Sequence, residues 1–173
     1  MAASGIRRFG DACLRRRAVE AAVDAAETKV LLDTMWEILE ADGGVGLAAP
    51  QIDVNQRAVV IRNPDAPESE QRIDLVNPVI RRTYGKQEPF EEGCLSFPGL
   101  YTNIMRPQGV ELTYESPNQG QRQLRTSTVL ARIIQHEVDH LDGVLFIDHL
   151  SPVERWLLGP KLLWITVGRI FGR

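Results

Sequence analysis

The chain has 173 residues, a length that fits one domain with a buried core. Its hydrophobic share of 43% and its charged share of 25% are ordinary for a globular protein in water. The formal net charge of −3 argues against a nucleic-acid-binding role, because such proteins normally carry a basic surface.

The sequence contains no targeting or membrane-spanning pattern. Two cysteines, Cys13 and Cys94, are too few and too far apart for a disulfide framework, which favours a reducing compartment. The N-terminal residues MAASGIRRFGD lack the apolar core of a secretory signal and do not resemble a transit peptide. The longest apolar run, LLWITVG at 162–168, is too short to cross a bilayer. We therefore expect a cytoplasmic protein that neither binds nucleic acid nor enters a membrane.

The first two thirds of the chain predict one helix and several strands. Residues 18–42 have helical spacing, and Gly43 and Gly44 are typical of a helix end. Its apolar stripe is Val30, Leu31, Thr34, Met35, Ile38 and Leu39. Residues 57–63 predict a buried strand, residues 73–80 and 109–116 have strand composition, and SPNQGQ at 116–121 is typical of a hairpin loop.

The remaining third predicts a central helix and a helical tail. The central helix begins near Thr126 or Ser127, either of which can cap it, and ends before Gly143. Apolar residues on more than one side indicate that this helix is buried; they are Leu130, Ile133, Ile134, Val138 and Leu141. Residues 151–173 predict a helix broken at Gly159–Pro160.

This order of elements favours an α+β fold, with small antiparallel or mixed sheets packed around the central helix. An N-terminal helix and a C-terminal helical segment complete the prediction, and residues 1–173 are expected to form a single domain.

The sequence QHEVDH at 135–140 predicts a metal site. His136 and His140 stand four positions apart, so on a helix they share a face and can bind one ion. Glu137 can then serve as a general base beside the open coordination position. The alternative is a pair of surface histidines on a charged helix. It is disfavoured because this helix is mostly apolar, and ionisable groups within it need a partner.

Such a site needs a third protein ligand. Downstream, Asp142 and Asp148 are better explained as turn residues, and His149 has no helical phase relation to the motif. Upstream, Cys94 in EEGCLSFPG is either a small core residue or a thiolate ligand. The missing ligand favours Cys94 in the second role, with one coordination position left for water.

A third stretch, GVGLAAPQ at 44–51, follows the first helix. Its glycines allow another backbone to approach closely, whereas a phosphate-binding loop would need a further glycine and a lysine. Gln51 is a neutral amide donor that can point at a developing oxyanion.

Together GVGLAAPQ, EGCLS and QHEVDH resemble the three signature motifs of peptide deformylases, in order and in spacing. The similarity extends from about residue 9 to residue 152. These enzymes remove the formyl group from the initiator methionine of nascent bacterial and organellar polypeptides.

The resemblance implies one divalent metal ion bound by Cys94, His136 and His140. The ion would natively be Fe²⁺, which Zn²⁺, Ni²⁺ or Co²⁺ can replace. Glu137 would transfer the proton of the attacking water, and Gln51 with the backbone N–H of Leu95 would polarise the formyl carbonyl. The resemblance also assigns substrate binding to Val45, Gly46, Phe90, Val129 and Ile133. The partners would be N-formylmethionyl nascent peptides and the ribosome near its exit tunnel.

The chain departs from the family pattern at several positions. Asp53 stands where glycine is common, and Tyr101 stands where some members carry an arginine that touches the substrate. Arg132 either borders the substrate groove or, as we favour, pairs with Glu91 or Glu92. The segment 151–173 matches no family feature and is either a packed terminal helix, which we favour, or a docking element for a partner such as the ribosome.

Two other functions fit part of this pattern. A zinc peptidase would share Glu137 and both histidines but would need a carboxylate as its third ligand. A non-catalytic structural metal site would fill its fourth position, for example with Cys13.

Overall fold

A five-stranded antiparallel sheet forms the body of the protein in a computed structural model, which describes residues 5–24, 26–117 and 119–170. The strands lie side by side in chain order. They are β1 Gly46–Ala48, β2 Ala58–Arg62, β3 Arg72–Gly93, β4 Tyr101–Ser116 and β5 Gly120–Thr126. The helices are α1 Ala26–Asp42, α2 Val129–Leu141, α3 Pro152–Leu157 and α4 Gly159–Ile170. This arrangement confirms the predicted α+β class.

The central helix α2 packs against the sheet through the apolar residues that its sequence predicted. Leu130, Ile134, Val138 and Leu141 are all buried, and they join a core cluster with sheet residues such as Val59 and Leu112. A second cluster contains Phe97, Ile104, Phe146, Leu162 and Ile165, and it reaches α2 where the Phe146 ring lies 5.8 Å from the His136 ring. The third cluster joins α1 to β1 and β2. The motif helix is therefore fixed between apolar layers.

The first helix differs from its prediction in start and in phase. It begins at Ala26 rather than at residue 18, because the preceding segment makes backbone hydrogen bonds elsewhere. Ala18 N–H donates to the Leu141 carbonyl at 2.8 Å, and Arg57 N–H donates to the Val19 carbonyl at 2.8 Å. The predicted stripe is partly wrong, since Val30 is 63% exposed. The residues that α1 buries are Thr28, Leu32, Met35, Trp36 and Leu39.

The predicted buried strand at 57–63 is confirmed as β2, whereas β3 and β4 are longer than the sequence predicted and β1 was not predicted. The predicted segment 73–80 lies in the first half of β3, and the predicted segment 109–116 forms the second half of β4. The two strands pair from Val76↔Glu115 to Gly93↔Tyr101, with three register shifts. The strand β5 was not predicted and pairs with β4 from Ser116↔Gly120 to Val110↔Thr126. The SPNQGQ segment is thus a hairpin connection, as expected.

The helix ends are mostly where the sequence placed them. The N-cap of α2 is Thr128 rather than Thr126 or Ser127, because Thr126 belongs to β5. Gly143, with φ +73°, follows α2, and Gly43, with φ +69°, follows α1. The tail is broken at Leu158, next to the predicted Gly159–Pro160 break. None of the helices in the described residues is long and apolar enough to cross a membrane.

Candidate metal centre

The two motif histidines and Cys94 come together at one point. His136 and His140 lie on one face of α2, with ring centroids 5.1 Å apart, and both are buried. Cys94 follows the last residue of β3, and its Sγ lies 3.2 Å from His140 Nε2. One ligand atom from each of the three residues lies within 4.8 Å of the others. These residues form the one ligand group of this kind found among the residues that the structure describes.

A buried carboxylate orients the first histidine. His136 Nδ1 lies 3.0 Å from Glu92 Oε2, which leaves Nε2 of the ring for an ion. Arg106 donates to both oxygens of Glu92, at 2.8 Å and 3.1 Å, and also to Asp139 at 2.6 Å. Burial raises the pKa of Glu92, but hydrogen bonds from His136 and Arg106 outweigh burial and lower it to about 2. Glu92 is therefore ionised at neutral and mildly acidic pH.

The electrostatics of the group fit a cation. Burial lowers the pKa of His136, but hydrogen bonding to Cys94 and Glu92 outweighs burial and raises it well above its ordinary value. These two neighbours thus favour positive charge at the ring, which a bound cation would supply in place of the proton. Burial lowers the pKa of His140 well below its ordinary value, which keeps that imidazole neutral and able to bind a metal. A thiolate and two imidazoles are donors that Zn²⁺, Fe²⁺, Co²⁺ and Ni²⁺ accept. The residues present therefore fit a divalent metal ion.

Glu137 lies beside this group without a partner for one oxygen. Its Oε2 and Nδ1 of His140 are the buried side-chain polar atoms that lack a hydrogen bond among the described residues. Burial raises the pKa of Glu137 to about 7, although the nearby His136 acts to lower it. A carboxyl group with such a pKa can both accept and release a proton near neutrality.

The amide of Gln51 is held in a fixed direction. Its Oε1 accepts a hydrogen bond from Ala48 N–H at 2.8 Å, so its NH₂ group faces Cys94 Sγ at 3.5 Å and Ser96 Oγ at 3.2 Å. Gln51 is only 1% exposed, and it follows β1 in a short 3-10 turn. An oriented, buried donor beside a metal group can stabilise negative charge that develops there.

A cleft of about 740 Å³ opens onto the metal group. Its wall includes Cys94, His136, Glu137, Gln51 and Leu95. The five residues that the resemblance assigned to substrate binding also line it, namely Val45, Gly46, Phe90, Val129 and Ile133. All but one of the predicted site residues therefore face one cleft, and their individual roles stay predictions. The exception is the predicted metal ligand His140, which is grouped with Cys94 and His136 but is not among the residues that line the cleft.

The other candidate ligands lie outside the group. Asp142 pairs with Arg57 at 2.7 Å, and Asp148 accepts the Leu145 N–H at 2.9 Å, as expected of turn residues. His149 Nε2 lies 2.7 Å from Asp139. Cys13, the candidate fourth ligand of a closed structural site, is buried in the second core cluster and is not part of the ligand group.

Arg132 both pairs with Glu92 and borders the cleft, the two roles that the sequence analysis treated as alternatives. Its guanidinium lies 3.5 Å from Glu92 Oε1, and it also lines the cleft. It donates to the backbone carbonyls of Ile104 and Glu88, at 3.2 Å and 2.9 Å, and so ties α2 to β3 and β4.

Sequence reasoning missed three residues around the site. Arg106 is buried between Glu92 and Asp139, and Ser96 is buried against Gln51. Asp139 gave a signal, because it is a further ionisable residue inside an apolar helix, one turn after His136. Arg106 and Ser96 gave none, since their pairing depends on how β4 and the turn after β3 fold onto α2.

The comparisons with known proteins agree with this geometry. The family model for polypeptide deformylase matches residues 3–156. A peptide deformylase of Picosynechococcus sp. is 41% identical over 145 residues, covering 83% of this chain and 76% of the relative. Peptide deformylase 2 of Xanthomonas campestris pv. campestris is 40% identical over 170 residues, covering 94% and 95%. The crystal structure of a peptide deformylase from Synechococcus elongatus in complex with actinonin has a TM-score of 0.82 at 36% identity, covering 90% of this chain and 86% of that one. Sequence and structure thus agree along nearly the whole chain, which belongs to the polypeptide deformylase family.

Proposed function

We propose that this protein is a peptide deformylase, a metal-dependent hydrolase that removes the formyl group from N-formylmethionyl peptides. The observation that carries the proposal is the grouping of Cys94, His136 and His140 at one cleft, with the buried Glu137 beside them. A peptidase of the related zinc class would need a carboxylate as third ligand, whereas the third residue here is a cysteine.

The chemistry divides between the ion and the chain. A divalent cation bound by Cys94, His136 and His140 would polarise the formyl carbonyl and lower the pKa of the attacking water. Glu137 would accept a proton from that water and deliver it to the departing amine. Burial without a hydrogen-bond partner for Oε2 makes Glu137 a stronger base than an exposed carboxylate, which supports its role as proton acceptor.

Two donors would stabilise the oxygen of the formyl group as negative charge develops on it. The Gln51 NH₂ is oriented through its Oε1, and the backbone N–H of Leu95 follows the cysteine ligand directly. Both residues line the cleft. Because these donors are fixed before the reaction, they would stabilise the transition state without reorganisation.

The peptide would bind along the edge of the sheet. β1 is an edge strand, and its first residue, Gly46, lines the cleft and can offer main-chain hydrogen bonds to an extended substrate. Val45, Phe90, Val129 and Ile133 would form the walls of the methionine pocket. The apolar character of these side chains suits the thioether side chain of methionine.

Further parts of the proposal concern the ion, the partners and the extent of the domain. We propose Fe²⁺ as the native ion, with Zn²⁺, Ni²⁺ or Co²⁺ as substitutes, since the donor set accepts all four. We also propose nascent chains as the substrates, the ribosome near its exit tunnel as a partner and the cytoplasm as the location. Residues 1–173 would form one catalytic domain. Metal analysis of protein purified without oxygen would test the choice of ion.

Substrate selectivity tests the proposed function. The formyl group and the acetyl group differ by one methyl, which a closely fitted site rejects by steric clash. We expect fast turnover of formyl-Met peptides and a steeply lower rate with acetyl-Met peptides of the same sequence. Equal rates on the two substrates would contradict deformylase specificity and favour a general amidase.

The role of Glu137 has its own test. Glu137→Gln preserves the shape of the side chain but cannot accept the proton, so turnover should fall by about 10²-fold to 10⁴-fold. Metal content, measured by elemental analysis, should match that of the parent, because Glu137 is not among the proposed ligands. Near-normal activity in this variant would show that another group is the base.

A further inference from the structure

The two C-terminal helices expose apolar side chains that the catalytic proposal does not use. Three lie on α3 at helical spacing and three on α4. We call this set the C-terminal apolar face; it consists of Val153, Trp156, Leu157, Leu163, Trp164 and Val167. Trp156 is 77% exposed and Trp164 is 68% exposed. Large aromatic side chains in water on neighbouring helices indicate a surface that contacts something else.

This face belongs to a folded element. On its other side α4 buries Leu162 and Ile165 in the second core cluster, with Leu158 packed against it. α3 is fixed by a capping box, in which Ser151 Oγ accepts from Glu154 N–H and Glu154 accepts from Ser151 N–H. None of the six residues of the face lines the catalytic cleft among the described residues.

Charge indicates the kind of surface that would cover the face. Residues 151–173 contain Arg155, Lys161, Arg169 and Arg173 against the single acidic residue Glu154, a formal charge of +3. Since the whole chain has −3, residues 1–150 carry −6. The segment that exposes tryptophan is thus basic within an acidic protein, as is the N-terminal stretch that contains Arg7, Arg8 and Arg15 to Arg17. A positive charge beside exposed apolar side chains favours an anionic surface as the partner.

We propose that the C-terminal apolar face is a peripheral binding site for an anionic lipid bilayer. Tryptophan and aliphatic side chains on short helices insert at the boundary between headgroups and acyl chains, and lysine and arginine interact with the anionic headgroups. Apolar area and positive charge act together in such binding, which is reversible and sensitive to lipid composition. Contact would be with the surface of the bilayer, without a helix that crosses it.

Two other partners fit the face less well. A second copy of the chain would bring two basic segments together, and six side chains fall well short of the roughly 20–30 residues that each partner contributes to a standard interface. A ribosomal RNA surface would be recognised mainly by dense contacts from lysine and arginine to phosphates, whereas this face is mostly apolar.

Vesicle binding by the full chain tests the proposal. We expect the protein to sediment with vesicles of mixed phosphatidylcholine and phosphatidylglycerol, less with phosphatidylcholine alone, and less as salt increases. Tryptophan emission should shift to shorter wavelength on binding. The shift would report on Trp156 and Trp164, because Trp36 is buried at 4% exposure.

Variants separate this face from unspecific adsorption. The double variant Trp156→Gln and Trp164→Gln should lose about tenfold or more in vesicle affinity, and Lys161→Glu should weaken binding in low salt. The double variant Val19→Gln and Val30→Gln changes two exposed apolar residues elsewhere and should bind like the parent. Turnover of a formyl-Met peptide should be equal in all of them, which also shows that they fold.

The proposal would be overturned if the parent failed to bind anionic vesicles. It would also be overturned if the parent and the tryptophan double variant bound them equally. A parent dimer in sedimentation velocity that the tryptophan variant abolishes would assign the face to a second copy, and binding to ribosomes without binding to vesicles would assign it to that partner. Since peptide turnover is measured separately, none of these results bears on the proposed deformylase activity.

Discussion

At the scale of single residues, the close approach of β1 to α2 determines the position of the Glu137 side chain, the proposed base. Gly46 begins β1 directly against the Glu137 side chain. A Cβ atom at this glycine would lie 2.9 Å from Glu137 Cδ and 3.0 Å from Cγ, and closer still to Oε1. Because such contacts are too short, any larger residue at position 46 would displace the Glu137 side chain. The backbone of Gly46 does not itself call for glycine, because its φ is not positive.

We therefore expect Gly46→Ala to damage activity more than stability. Glu137 is buried on a packed helix, so it would have to rotate away from its position beside the metal group. A displacement of about 1 Å of a catalytic group can lower turnover by about a hundredfold. Steady-state turnover of a formyl-Met peptide is the measurement, together with metal content, which should be unchanged.

Gly159→Ala is the matched control, because a Cβ at Gly159 would meet no atom within 4 Å. It should leave turnover at the parent level. If Gly46→Ala also retained full turnover, the position of Glu137 would not be critical and its assignment as the base would lose support.

At the scale of elements, the sequence predicted best what lies within one element. The apolar residues that α2 buries were predicted from their spacing along the helix. The proximity of His136 and His140 was predicted likewise, because residues four positions apart lie on the same face of a helix. The proximity of Cys94 to this pair depends instead on the β3–β4 hairpin, in which the outer part of β3, residues 81–91, is mostly exposed and polar. For that reason β3 and β4 were predicted too short, and Cys94 was assigned through chemistry and family resemblance.

The start of α1 shows a second limit. Residues 18–25 have helix-forming composition, but hydrogen bonds to Arg57, to Asn77 and to the end of α2 hold part of this stretch outside the helix. Tertiary contacts of this kind outweigh the small free energies of helix propensity. Burial of Arg106 has the same origin, because its partners Glu92 and Asp139 lie on two other elements.

The contact between α1 and β3 supports a prediction on pH dependence. Trp36 Nε1 donates to Asp74 Oδ1 at 2.7 Å, and burial raises the pKa of Asp74 above 3.8 although that hydrogen bond lowers it. The folded state therefore binds this proton more tightly than the unfolded state does. The free energy of unfolding consequently falls as pH rises through the range above 3.8.

Asp74→Asn keeps the acceptor oxygen and removes the buried charge. At neutral pH the variant should be more stable than the parent by about 1 kcal/mol or less. The difference should shrink as pH falls below the raised pKa of the folded state and should vanish well below 3.8, where the carboxyl group is protonated in both states. Urea unfolding across this pH range is the measurement. Asp65→Asn, at an exposed loop position, should show no such gain, and a loss of stability in Asp74→Asn at neutral pH would contradict the argument.

At the scale of the whole molecule, the metal group joins parts of the chain that are distant in sequence. Cys94 packs against the second core cluster, whereas α2 contributes to the first cluster through Ile134 and Val138. An ion bound by Cys94, His136 and His140 would therefore link the turn after β3 to the central helix. Binding to the folded state alone stabilises that state by mass action, by about 2.7 kcal/mol at a hundred times the dissociation constant.

Removal of the ion should therefore lower the melting temperature. For a chain of this length, 1 kcal/mol corresponds to about 2–4 °C, so chelation should lower Tm by about 5–10 °C. The test compares thermal unfolding of metal-loaded protein with and without chelator.

Two cysteine variants identify the residues that bind the ion. Cys94→Ser should nearly abolish the difference in Tm caused by the chelator, because it removes one of the three donors. Cys13→Ser should keep it in full, whatever its own effect on Tm, because Cys13 lies outside the ligand group. A chelator effect that disappears in Cys13→Ser instead would assign the ion to a closed structural site, and no chelator effect in metal-loaded parent protein would show that the ion does not link the two clusters.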